Sequence, residues 1–362
     1  MELIRKDFLL FFALIGLISL SLITLASISV NEEPAFYSLK RQAIFFILGF
    51  TVFFILSSID WRSFLDSSFI ITFYFFSLFL LFLVLIFGTT IKGATGWFQI
   101  GSLNFQPVEI AKIALILILA KFLSSYHKEI WQYPLLLKTA FFTFLPVMFV
   151  IFQPDLGGVI VLTAIWFLMI LVSGIRLNQI VFLIVIFLII LILGWFFFLQ
   201  PYQRERIINF LNPETDPMGS GYSRQQSLIA IGSGRIFGKG LGWGTQTQFR
   251  FLPLAKTDFI FAALSEELGL VGVSLLLILL LIFIWRLIFW ANNLNNNFCS
   301  LFIIGFAAKI LVESFINIGM NTGLLPVIGI GLPFVSLGGS QILANFICLG
   351  IIGSMIKYQD IF

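Results

Sequence analysis

Apolar runs of bilayer-crossing length recur from one end of this chain to the other, and no other feature restricts its fold so strongly. A hydrocarbon core about 30 Å thick takes about 20 apolar residues per spanning helix. Such runs fall near 8–30, 41–59, 69–88, 107–125, 138–152, 155–174, 179–199, 259–286, 298–319 and 332–356 of the 362 residues. The fifth is short, and Pro146 with the turn Gln153-Pro154-Asp155 suggests a re-entering pair of helices; the eighth is long, which leaves its interior boundary open. Only 10% of the residues are charged, against about 25% in soluble globular chains. That excludes a water-soluble fold, and the recurrence of the runs excludes a single anchor.

Inside a bilayer every backbone N–H and C=O must find a partner within the protein, so spanning segments are helices or closed barrels. Alternation at the strand period is absent, which removes the barrel. The sequence therefore predicts an all-α polytopic membrane protein of one domain over 1–362, with about ten transmembrane helices and a large extracytoplasmic loop between the seventh and eighth. The first run is too long for an export-signal core and lacks a small-residue cleavage pattern, so it reads as a retained helix. An even number of spans puts both termini on one side. With that side cytoplasmic, Arg5, Lys6, Arg62, Lys121, Lys128, Lys138, Arg176, Arg286 and Lys357 lie inside, against Lys40, Arg41 and Lys92 in short outer loops. This is the positive-inside bias. Cys299, Cys348 and the single histidine His127 have no ligand spacing, so the cysteines read as core filling.

Some charges fall where hydrocarbon should be. Glu109 and Lys112 stand at i,i+3 on the fourth span after Pro107, on one helix face. Ionisable groups in a span normally face the bundle interior or a polar cavity. Lys309 and Glu313, at i,i+4 on the ninth span, form a second candidate pair, with a buried lock between helices as the structural alternative. Asp155 after Pro154 suits a helix cap.

The largest polar feature is an island from about Gln200 to Asp258, rich in glycine and carrying Arg204, Arg206, Arg224, Arg235, Lys239, Arg250 and Lys256. Four prolines rule out one continuous helix, although Tyr222–Ile231 can form a short surface helix. The glycine-rich stretch 232–244 resembles a phosphate cradle only superficially, since it lacks the P-loop pattern. Asp258, at the junction of island and eighth span, has two readings: a helix cap, or a carboxylate aimed into a cavity beneath the basic loop.

The motifs together resemble the SEDS family of polytopic membrane proteins (shape, elongation, division and sporulation). They are Lys92-Gly-Ala-Thr-Gly-Trp-Phe98, Gly101-Ser-Leu-Asn-Phe-Gln-Pro-Val-Glu-Ile-Ala-Lys112, Gln153-Pro-Asp-Leu-Gly157, Tyr202-Gln-Arg-Glu-Arg206 and Asn212-Pro-Glu-Thr-Asp-Pro217. Gln226-Ser-Leu-Ile-Ala-Ile-Gly-Ser-Gly234, Phe237-Gly-Lys-Gly-Leu-Gly242, Thr245-Gln-Thr-Gln248 and Thr257-Asp-Phe-Ile-Phe261 follow. The C-terminal part adds Glu266-Glu-Leu-Gly269, Asn317-Ile-Gly-Met-Asn-Thr-Gly-Leu-Leu-Pro326 and Pro333-Phe-Val-Ser-Leu-Gly-Gly-Ser340. Two departures stand out: Leu254-Ala-Lys256 where many relatives end in histidine, and Ser336-Leu-Gly-Gly where they carry Ser-Tyr-Gly-Gly.

The resemblance implies an inverting peptidoglycan glycosyltransferase of the bacterial cytoplasmic membrane that polymerises lipid II on its outer face. It further implies a class B penicillin-binding protein (a transpeptidase) as partner, alongside other membrane proteins of the elongation complex, and no nucleic acid. Asp258 matches the family's catalytic carboxylate, and Glu109 with Lys112 an interacting pair lining the cavity. The Thr-Gln-Thr-Gln run and short N-terminus favour the elongation member over the division member. On that implied chemistry Arg204, Arg206, Arg224, Lys239 and Arg250 are the candidate pyrophosphate contacts. An Mg²⁺ or Mn²⁺ ion is a possible helper, with no dedicated ligand cluster in the sequence. A lipid II flippase and a bare scaffold are the competing uses of such a chain. A transporter should show an internal repeat, and none is convincing here.

Overall fold

The computed structural model describes residues 7–30, 32–64, 66–91, 94–101, 103–126, 133–186, 204 and 220–359. In chain order the helices are α1 (Phe8–Ile28), α2 (Tyr37–Ser58), α3 (Trp61–Phe64) and α4 (Ser67–Phe87). Strands β1 (Thr89–Ile91), β2 (Ala94–Ile100) and β3 (Leu103–Phe105) come next. Then follow α5 (Pro107–Ser125), α6 (Tyr133–Phe152), α7 (Leu156–Val172) and α8 (Leu177–Ile186). The last group is α9 (Ser220–Gly234), α10 (Thr245–Gln248), α11 (Ile260–Asn293), α12 (Asn297–Asn321) and α13 (Gly339–Lys357).

The protein is thus an all-α polytopic membrane protein with several apolar spans. Among the described residues seven helices are long and apolar enough to cross a bilayer: α1, α2, α4, α6, α11, α12 and α13. The fourth predicted span, α5, carries Glu109, Lys112 and Lys121, and the sixth, α7, is 17 residues long. Of the seventh, Leu177–Ile186 is helical and the remainder lies outside the described residues. The fifth extends further back than predicted, and Pro146 sits inside α6 without ending it. The strands are an addition that the sequence reading missed: they form one small antiparallel sheet in the order β1-β2-β3, in the loop before α5.

Local chemistry explains where helices start. Asp7, Asp66 and Asp155 are N-caps whose carboxylates accept the N–H of Leu10, Phe69 and Gly158 at 2.9, 2.8 and 2.9 Å. Asp155 is therefore the cap its position after Pro154 suggested. Phenylalanines 75, 76, 79 and 82 of α4 are exposed, as suits a face whose solvent is lipid.

The chain forms two compact units. One comprises residues 1–64, 214–294 and 310–362; the other 65–213 and 295–309. In the first, α2 packs along α13, α1 against α11, and α9 against α11. Its core includes the fully buried rings of Phe283, Phe334 and Phe346, with Phe334 edge-on to both others at 5.4 and 6.0 Å between centroids. In the second, α5 is buried along most of its length, against α4, α6 and α7.

The eighth span is broken. Gly269 has φ 64° and ψ −160° in the middle of α11, a region essentially reserved for glycine. A broken helix leaves backbone groups without partners, which is costly in a membrane. The loop after α9 supplies them. Lys239 and Gly240 donate their N–H to the carbonyls of Glu266 and Glu267 at 2.9 and 3.0 Å. Leu270 and Val271 in turn donate to the carbonyls of Arg235 and Ile236 at 2.9 and 3.1 Å. Gly234 permits this approach, because a Cβ there would lie 1.9 Å from the Ser265 carbonyl oxygen.

Candidate active site

Asp258 is carried on a tight turn just ahead of α11. Thr257 and Phe259 both donate their N–H to the Leu254 carbonyl, at 3.0 and 3.2 Å. The carbonyls of Lys256, Thr257 and Asp258 are each held by residues from elsewhere in the unit. That of Lys256 accepts the Leu337 N–H at 2.9 Å, and that of Thr257 the Ser336 hydroxyl at 2.6 Å. The Asp258 carbonyl accepts the side-chain amides of Asn317 and Asn321, at 3.0 and 2.9 Å. These two asparagines lie one turn apart on α12 and are wholly buried. An amide in a span is expensive unless it is bonded; here both hold the Asp258 carbonyl, and that of Asn317 also donates to the Ile330 carbonyl at 2.7 Å.

The clamp has its own support. Ser336 offers its carbonyl to Gln42 Nε2 at 3.0 Å, and the Ser21 hydroxyl holds the neighbouring Val335 carbonyl at 2.7 Å. Asn321 Oδ1 also takes the Ala262 N–H at 3.1 Å, so a first-turn donor of α11 is capped from α12. Asp258 as a residue is only 5% exposed, and a Cβ at Gly329 would lie 3.7 Å from its Oδ2. Asp258 is thus a buried carboxylate on a rigid backbone.

A cleft of about 630 Å³ lies in the same unit, lined by Glu32, Glu33, Tyr37, Arg250 and Lys256. It does not include Asp258 itself, but its wall residue Lys256 is two positions away in sequence. Lys256 pairs with Glu32. Burial opposes ionisation of the Glu32 carboxyl, but the Lys256 ammonium and two hydrogen bonds from Ser38 outweigh it and hold it below the usual carboxylate range. None of Glu32, Glu33 or Tyr37 was singled out from sequence.

The basic residues of the island have separate employments. Arg224 donates to the Gly323 carbonyl at 2.9 Å. Lys239 reaches Glu266 at 2.9 Å and Thr245 at 2.7 Å. Arg250 lines the cleft, with a left-handed φ of 59°. Arg204 belongs to the other unit, and Arg206 lies outside the described residues. The stretch 232–244 does not present a nest of free N–H groups. Those of Gly238, Lys239 and Gly240 bind carbonyls, and that of Gly242 binds the Ser27 hydroxyl at 2.7 Å. Glu266 instead organises this region. Its buried carboxylate accepts the N–H groups of Gln246 and Thr247 at 2.9 and 3.0 Å, besides Lys239.

In the second unit Glu109 and Lys112 meet as their spacing predicted, with Oε1 and Nζ 2.6 Å apart and both side chains buried. A third member was not foreseen: Lys309 Nζ lies 3.3 Å from Glu109 Oε2. The sequence reading paired Lys309 with Glu313, whose carboxylate accepts Gln341 Nε2 at 3.0 Å. Helix spacing identifies neighbours on one helix; it cannot identify a partner brought in by another. Among the described residues no three His, Cys, Asp or Glu side chains converge. Among the described residues no donor set fits a resident divalent ion.

Residues 3–360 match the profile of the FtsW/RodA/SpoVE family of cell cycle proteins. The chain belongs to that family. The resemblance read from its motifs is thereby borne out. Peptidoglycan glycosyltransferase MrdB of Escherichia coli K12 is 41% identical over 272 residues, 74% of this chain and 72% of the relative. A solved chain from a peptidoglycan synthase complex, described for its structural coordination of polymerization and crosslinking, superposes with a TM-score of 0.79 at 32% identity, covering 98% of this chain and 99% of that one. The rod shape determining protein RodA of Thermus thermophilus superposes with a TM-score of 0.71 at 29% identity, covering 98% and 97%.

Proposed function

We propose that this FtsW/RodA/SpoVE member is a peptidoglycan glycosyltransferase of the bacterial inner membrane that polymerises lipid II during cell elongation. The observation that carries the reading is the buried Asp258 carboxylate on a backbone clamped by Asn317, Asn321 and Ser336. Family membership supports reading that carboxylate against the following reaction. The C4 hydroxyl of an acceptor N-acetylglucosamine attacks C1 of a donor N-acetylmuramic acid, a C–O bond forms with inversion, and undecaprenyl pyrophosphate leaves with the electron pair. Asp258 takes the hydroxyl proton as general base, a role worth about 10²–10⁴-fold. Pyrophosphate is a good leaving group and needs positive charge more than an acid. Arg204, Arg206, Arg224, Lys239 and Arg250 remain the candidates to supply it. Arg250, which lines the cleft, is the first to test.

The match of one family profile to residues 3–360 supports a single SEDS-type domain. The predicted organisation is ten spans, both termini cytoplasmic, and the loop 200–258 outside. Glu109, with Lys112 and Lys309, is read as a polar lock of the cavity wall. A class B penicillin-binding protein is the proposed crosslinking partner, supported by the likeness to a chain from a synthase complex. A division role is the second reading, because the same family profile includes FtsW.

The test is reconstitution of the purified chain with a class B penicillin-binding protein and labelled lipid II, with glycan products separated on a gel. Long strands are expected. No strands, alongside translocation of lipid II across the vesicle membrane, would move the assignment to a flippase.

A further inference from the structure

Glu32 and Lys256 join two parts of the sequence more than two hundred residues apart. Glu32 lies in the loop between α1 and α2, and is fixed there by the Ser38 N–H at 2.8 Å and by the Ser38 hydroxyl. Its side chain is 12% exposed and that of Lys256 is 31% exposed, so the pair is partly screened from water. Lys256 lies inside the turn from Leu254 to Phe259 that presents Asp258. Leu254 opens that turn at φ 54°, a left-handed conformation that the Cβ of an ordinary L-residue disfavours and that persists only where its surroundings enforce it.

We propose that the Glu32–Lys256 ion pair positions Asp258. Asn317, Asn321, Ser336 and Leu337 hold the carbonyl side of residues 256–258. The pair holds the same segment through a side chain, from the α1–α2 loop. Together they close the turn from two directions and prevent its relaxation out of the left-handed start. Lys256 is a positioning residue in this account, acting through the backbone of Asp258 and one wall of the cleft. The inference rests on the reading of Asp258 as the general base. Its expected size follows from geometry: a misplacement of about 1 Å at a reacting group can cost about 10²-fold in rate, and the carbonyl clamps limit the displacement to less than that.

The experiment measures kcat and KM for lipid II with the full chain in proteoliposomes, comparing wild type, Lys256→Met, Glu32→Gln, the double variant, Lys256→Arg and Asp258→Asn. Lys256→Met and Glu32→Gln should each lower kcat about tenfold with KM changed less than about twofold. The double variant should be no worse than either single one, because both remove the same interaction. Lys256→Arg, which keeps the charge, should recover most of kcat. If Lys256→Met does not fold, Glu32→Gln and Lys256→Arg still decide the matter. A silent Lys256→Met beside an inert Asp258→Asn would overturn the positioning inference alone. So would a rise in KM at unchanged kcat, which would make Lys256 a substrate contact, or multiplicative losses in the double variant. Strand formation by Asp258→Asn would instead overturn the reading on which the inference stands.

Discussion

Glu109 illustrates how one residue can serve several elements. Two ammonium groups converge on its carboxylate, at 2.6 and 3.3 Å, one from its own helix and one from α12. Breaking a buried pair by removing one partner typically costs about 3–5 kcal/mol, since it leaves an uncompensated charge. Glu109→Gln should therefore lower the thermal midpoint of the purified protein in detergent and reduce polymerisation. Lys309→Met, which leaves Lys112 in place, should do less. An unchanged midpoint for Glu109→Gln would show that the three groups are not energetically linked. The Glu109–Lys112 contact was legible from spacing and from the expense of charge in hydrocarbon. The Lys309 contact was not, because it depends on which face of α12 meets α5. Asp258 was legible only through the family's motif; composition alone left cap and cavity open. The asparagines that hold it carried a readable signal, two amides at i,i+4 in an apolar run, but their target is sixty residues away in sequence.

At the scale of elements, the broken α11 is the feature the hydropathy pattern hid. The apolar run resumes directly after Ser265-Glu266-Glu267 and is leucine-rich only beyond Gly269, so the segment reads as one long span of open interior boundary, and only the backbone angles reveal two helices. A Cβ at Gly269 would lie 2.2 Å from the Gly238 nitrogen and 2.6 Å from the Ile236 carbonyl oxygen. Gly269→Ala must therefore strain the backbone and push away the loop that completes the hydrogen bonding of the break. The expected outcome is a loss of at least about 2 kcal/mol, read as a lower thermal midpoint and a loss of activity although Gly269 touches no reacting group. A midpoint unchanged from wild type would show that the break tolerates a side chain. The glycines of 232–244 gave the sequence only a superficial likeness to a phosphate cradle. Their use is the close packing of this loop against α11, where its N–H groups replace missing helical partners. The sheet β1-β2-β3 also escaped notice, since β1 and β3 have only three residues each and the seven residues of β2, Ala-Thr-Gly-Trp-Phe-Gln-Ile, do not alternate strictly.

For the whole molecule, the membrane class followed from hydropathy and the requirement that backbone groups be paired in lipid, and it holds. Orientation remains a prediction from charge placement. Cysteines introduced at Ser220 and at Glu2, probed in intact cells with a membrane-impermeant thiol reagent, should label only at 220. The native Cys299 and Cys348 are buried and give little background. Labelling only at position 2 would reverse the topology. The activity itself turns on one substitution. Asp258→Asn preserves size and capping ability while removing nearly all basicity. Wild type and Asp258→Asn, reconstituted with the same transpeptidase and labelled lipid II, should differ by at least about 10²-fold in strand formation while folding and binding the partner equally well. Long glycan strands from Asp258→Asn would contradict the account.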